Sequence, residues 1–123
     1  MLSMRQTLQV DAVASGALGL LMVVLAGPFE EWLGLPTAVS LGVGAFLVAW
    51  AAFVAWAATR DSQGLTREIA LLNSVWVVVS VVFAVSGVVD LTAPGVAFVL
   101  AQAVAVAGFV LLQTRSARSV AMA

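Results

Sequence analysis

Residues Ala38 to Thr59 read AVSLGVGAFLVAWAAFVAWAAT, a stretch without one charged side chain. About 20 apolar residues at 1.5 Å rise per residue match a hydrocarbon core about 30 Å thick. The run does not alternate between apolar and polar positions, as a barrel strand would. In lipid the backbone must satisfy its own hydrogen bonds, so a transmembrane helix is the reading that remains. Three more stretches read the same way: Leu8 to Gly27, Ile69 to Val89 and Pro94 to Thr114. The expected fold class is an all-α membrane protein, a four-transmembrane-helix bundle forming a single domain over residues 1–123.

Composition points in the same direction. The chain is 63% hydrophobic and only 9% charged, against about 45–50% apolar and about 25% charged in soluble domains. So few charges cannot cover a water-facing surface, and the solvent for most of it is lipid. The apolar run after Arg5 is longer than the 7–15 residues of a signal-peptide core, so it is expected to be a retained helix. The chain has no Cys, His, Lys or Tyr. That removes disulfides, thiolate catalysis, the Schiff-base amine and the commonest metal ligand. No nucleophile–base pair and no phosphate-binding glycine loop is visible. A non-enzymatic protein with no cofactor and no metal is therefore expected, and a net charge of −1 gives no hint of nucleic acid.

The breaks between spans carry ordinary punctuation. Gly27-Pro28 is expected to end the first helix, Gly34-Leu35-Pro36 to lead into the second, Arg60 to Gly64 to form a polar turn, and Asp90 to Gly95 to close the last hairpin. The segment 28–36 mixes Glu30 and Glu31 with Trp32 and is expected to lie at the interface. Arg5, Arg60, Arg67, Arg115 and Arg118 all fall on one side of this topology, with Glu30, Glu31 and Asp90 on the other. The positive-inside rule then predicts both termini in the cytoplasm.

The two hairpins also look like copies. Asp11 follows Arg5 by six residues, and Asn73 follows Arg67 by six. The second helix of each pair opens Thr-Ala and closes Thr-Arg, from Thr37-Ala38 to Thr59-Arg60 and from Thr92-Ala93 to Thr114-Arg115. Both hairpins start inside, so the repeats are expected to be parallel, related by an axis along the membrane normal.

The candidate site residues are the few polar groups within the spans. Asp11, Ser15, Asn73, Ser80 and Gln102 form an expected intramembrane polar cluster. A carboxylate inside a membrane is costly and often functional. Asp11 therefore reads either as a clamp satisfied by neighbours such as Asn73 and Ser15, or as the proton- or cation-carrying group of a small transporter or channel. Phe46, Trp50 and Phe53 form an aromatic stripe, which either faces lipid or lines an apolar ligand pocket for an isoprenoid, quinone or lipid chain. Small-residue stripes at Ala12/Gly16/Gly19/Val23/Ala26, Ala38/Gly42/Ala45/Ala49/Ala52 and Ala97/Ala101/Val104/Gly108 are expected to be packing seams, within one bundle or between copies in a homo-oligomer.

The Arg5-x5-Asp11 opening of the first helix and Asn73-Ser74-Val75-Trp76 in the third resemble a large group of small four-helix bacterial membrane proteins, mostly unassigned in function. The resemblance covers nearly the whole chain and implies a multi-pass protein of the bacterial inner membrane. The missing lysine and the Ala/Val excess fit a GC-rich genome. Small multidrug exporters, fluoride channels and epoxide-reductase-like proteins fit less well, because their Glu, Phe/Asn and Cys patterns are missing.

Overall fold

The computed structural model describes residues 2–122, with side chains described to Ser119, so the two end residues of the expected 1–123 domain lie outside it. The described residues form five helices and no strand: α1 (Met4–Val24), α2 (Ala26–Leu33), α3 (Thr37–Arg60), α4 (Gln63–Ser86) and α5 (Ala93–Met122). Four of them, α1, α3, α4 and α5, are long and apolar enough to cross a membrane.

Helix ends follow local chemistry rather than hydropathy. Ser3 and Gln6 make a reciprocal capping box, which starts α1 at Met4 instead of Leu8. Ser62 caps α4 through Leu65 N–H, and this helix starts six residues before its apolar stretch. Pro28 lacks the N–H that would bond the carbonyl of Val24, and α1 ends at Val24. The chain restarts at once as α2, a short helix that covers most of the segment 28–36 expected at the interface. Pro28 falls in its first turn, where no N–H partner is needed. Ala26, Phe29 and Leu33 are the buried side of α2, while Glu30, Glu31 and Trp32 are exposed.

Two pairings dominate: α1 lies along α3, and α4 along α5. The α1–α3 contact is close because Gly19 and Gly44 face each other. A Cβ on Gly19 would sit 2.7 Å from the carbonyl oxygen of Gly44, and the reverse holds equally. The α3 face that meets α1 runs through Ser40, Gly44, Leu47, Ala51, Val54 and Ala58. This corrects the seam expected on that helix: Ala38, Gly42, Ala45, Ala49 and Ala52 are all exposed. The stripe on α5 is likewise turned outward, with Ala97, Ala101 and Val104 exposed and open space beside Gly108. The buried sides of both helices also carry small residues, Ser40, Gly44, Ala57 and Ala58 on α3 and Gly95, Ala103 and Ala117 on α5, so small size alone does not mark the face that packs.

The two pairs meet at both ends. At one end Leu33 O accepts from Thr92 N–H (3.1 Å), and Trp32 O accepts from Thr92 Oγ1 (2.8 Å). A side chain on Gly95 would collide with Leu33 O, so this crossing admits only glycine. At the other end Thr7 Oγ1 of α1 lies 3.4 Å from Ser116 Oγ of α5, while Gln63 Nε2 donates to Ala117 O (2.7 Å) within the α4–α5 pair. The five arginines belong to this second end, one or two at each helix terminus.

Candidate functional site: a polar cluster beside an apolar cavity

Asp11 sits two turns into α1 and is only 1% exposed. Its carboxylate accepts three hydrogen bonds: Ser15 Oγ to Oδ1 (3.0 Å), Asn73 Nδ2 to Oδ2 (2.8 Å) and Gln113 Nε2 to Oδ2 (2.7 Å). Asn73 Nδ2 also donates to Gln113 Oε1 at 3.1 Å. The donors come from α1, α4 and α5, so one carboxylate ties both helix pairs together, and each of these partners is uncharged.

Helix geometry explains how the residues arrive. Ser15 lies four residues after Asp11, one turn along the same face. Asn73 lies on the α4 face that carries Ile69, Ser80 and Ala84, all buried. Gln113 lies on the α5 face with Val99, Ala103 and Ala117, also buried.

Two expected members of the cluster are elsewhere. Gln102 stands three turns from Gln113. Its Oε1 accepts from Trp76 Nε1 (2.9 Å) and its Nε2 donates to Val99 O (2.9 Å), so it serves the indole rather than Asp11. Ser80 is buried two turns beyond Asn73 and makes no hydrogen bond to the cluster among the described residues. Gln113, fully buried, is the member that sequence reasoning missed.

Beside the cluster, a cavity of about 540 Å³ is walled by all four long helices. Its polar lining is limited to Ser15, Asn73 and Gln102, and no charged residue borders it. Its aromatic walls are Phe46 and Trp50 from α3, Trp76 from α4 and Phe109 from α5. Phe46 stacks on Trp76 (centroids 5.9 Å, planes at 15°) and on Trp50 (6.4 Å, 18°). Phe53, expected with them, packs at a tilt against Trp50 and Trp56 and leads away from the cavity toward Arg60, which lies over the Trp56 ring. The exposed wall residues are chiefly Phe46 on α3 and Leu72, Val75 and Val79 on α4. The mouth therefore runs along the α3–α4 side, where few residues touch.

No family model, curated protein or solved structure matches this chain. The functional reading rests on the site itself.

A smaller chamber of about 170 Å³ continues past Gln102, between Met22, Leu35, Phe83 and Phe98. Leu18, Leu47, Trp76, Val79 and Gln102 border both spaces. The whole forms an apolar volume of the size usual for small-molecule sites, about 300–1,000 Å³, with Ser15 and Asn73 in the larger space, Gln102 where the two meet and Ser80 in the smaller.

Proposed function

We propose that this chain is a non-enzymatic integral membrane protein that binds an apolar molecule between its two helical hairpins. The observation that carries the reading is the cavity of about 540 Å³ with aromatic walls and the Asp11–Asn73–Gln113 cluster at its edge. In this reading the cluster is a clamp. It holds the pairs together at one end, the Thr92–Leu33 crossing holds them at the other, and the space between stays open.

The same proposal includes a four-helix bundle built as two tandem hairpins in parallel repeat. The α1–α3 and α4–α5 pairings support it, as does the meeting of Asp11 and Asn73, which hold equivalent positions in the two halves. It also includes a bacterial inner-membrane location, with both termini cytoplasmic, α2 at the outer interface and membrane lipids as surroundings. The arginines at one end of the helices favour that orientation. Self-association through the outward small-residue stripes of α3 and α5 belongs to it as well.

Native mass spectrometry of the gently released protein tests the binding reading. A stoichiometric adduct lost on cavity filling supports it. A bare chain after release from its native membrane, with no affinity for added lipophiles, overturns it. The mass also counts subunits.

A second reading is favoured by one observation, a carboxylate buried within a span with only uncharged partners. Such a group is often a proton or cation carrier. On that reading Asp11→Asn abolishes pH-dependent flux in liposomes. A flux unchanged by the variant sinks it.

A further inference from the structure

Asn73 has a polar atom that the clamp does not use. Both hydrogens of its Nδ2 are committed, one to Asp11 Oδ2 and one to Gln113 Oε1. Its Oδ1 receives no donor among the described residues. The residue is 5% exposed and lines the cavity. Nor is Oδ1 among the fully enclosed unpaired atoms; among the described side chains, Ser40 Oγ alone is. The carbonyl oxygen thus keeps an open face on the one space the residue borders.

Asp11 fixes this arrangement. An inverted Asn73 amide would set its oxygen against the carboxylate oxygen at 2.8 Å, acceptor against acceptor. The carboxylate therefore forces the N–H groups inward and the carbonyl toward the cavity. An amide carbonyl facing an apolar space without a donor carries a desolvation cost. An acyl chain would leave that cost in place, and an anionic headgroup would meet no cation on the walls.

We propose, resting on the binding reading above, that the ligand is a flat, neutral lipophile whose hydroxyl donates to Asn73 Oδ1. The near-parallel rings of Phe46, Trp50 and Trp76 supply a stacking surface for its flat part. Asp11 is then a positioning residue: it touches no ligand and sets the direction of the acceptor.

The test uses a brominated 4-alkylphenol and its O-methyl ether, titrated into the full chain in nanodiscs, with bromine quenching of Trp50 and Trp76 as the readout. The phenol is expected to bind about tenfold more tightly than the ether. Val106→Phe, which fills the cavity without touching the clamp, is expected to remove saturable quenching by both. Asp11→Asn is expected to erase the phenol preference while both probes still bind, because an amide at position 11 accepts either orientation of Asn73. Equal affinity of phenol and ether for the wild-type chain overturns the hydroxyl assignment and leaves the binding reading standing. Absence of saturable quenching by either probe, or quenching indifferent to Val106→Phe, overturns both.

Discussion

Replacing Gln113 with leucine removes one of the two amide donors on Asp11 Oδ2 and the acceptor of one Asn73 hydrogen. Interhelical hydrogen bonds in membranes contribute about 0.6 kcal/mol each on average and up to about 1.7 kcal/mol. Two such bonds are lost here and a buried carboxylate is left with fewer donors, so Gln113→Leu is expected to cost about 1–2 kcal/mol. Unfolding in mixed micelles with increasing SDS measures it, and a midpoint equal to wild type would deny Gln113 its place in the clamp. Thr7→Val breaks only a contact of 3.4 Å to Ser116 and a bond within its own turn, and is expected to cost less than Gln113→Leu in the same titration. At this scale Asp11, Ser15 and Asn73 were legible in the sequence, because a polar residue deep in an apolar run is conspicuous. Gln113 was not, because it stands two residues before Arg115 and reads as the wet end of a span. Helix α5 continues past it for more than two turns, so the position is interior. Gln102 misled for the opposite reason: it lies mid-span, yet an indole rather than the carboxylate claims it.

Among the helices, glycine positions separate contact from empty space. Gly19→Ala puts a methyl group against the backbone of α3 at Gly44, where no side chain can move aside. It is expected to destabilise by about 1–3 kcal/mol, the usual range for overpacking. Gly42→Ala faces open space and is expected to stay within about 0.5 kcal/mol of wild type. The pair of variants in one unfolding assay checks the seam. A costly Gly42→Ala beside a harmless Gly19→Ala would put the expected stripe back at the interface. Small residues are abundant on every face of α3, so composition alone could not choose between stripes two positions apart. On α1 the choice was easier, since Gly19 and Ala12 are flanked by large residues. Helix starts were hidden too, because capping by Ser3 and Ser62 is a matter of a few polar atoms and leaves no trace in hydropathy.

For the whole molecule, the chain's lack of cysteine allows a direct check of sidedness. Ser3→Cys and Glu31→Cys lie at opposite ends of the structure, and both positions are exposed. A membrane-impermeant maleimide applied to intact spheroplasts is expected to label Glu31→Cys alone, and Ser3→Cys only after permeabilisation. The reverse pattern would invert the proposed orientation. The four long apolar helices were legible from four apolar runs. The cavity was not. It arises because the helix pairs are pinned at their two ends by a handful of bonds, and no local pattern reports a space left between distant segments.

The clamp also orders events during synthesis. Asp11 and Ser15 lie in the first hairpin, while both amides that complete the carboxylate's set lie in the second. A nascent chain that has inserted only α1 to α3 carries a buried acid with a single hydroxyl for company. Asn73 adds a second donor once α4 is in place, and Gln113 completes the set only when α5 has followed. For that interval the half-made protein is expected to carry an under-satisfied carboxylate within the membrane and to be a better substrate for membrane proteases. A chain truncated after Arg60 should therefore be cleared far faster than one carrying α4 and α5, even though its two long helices fit tightly. On this expectation the insertion of α5 turns a liability of the first hairpin into a structural joint.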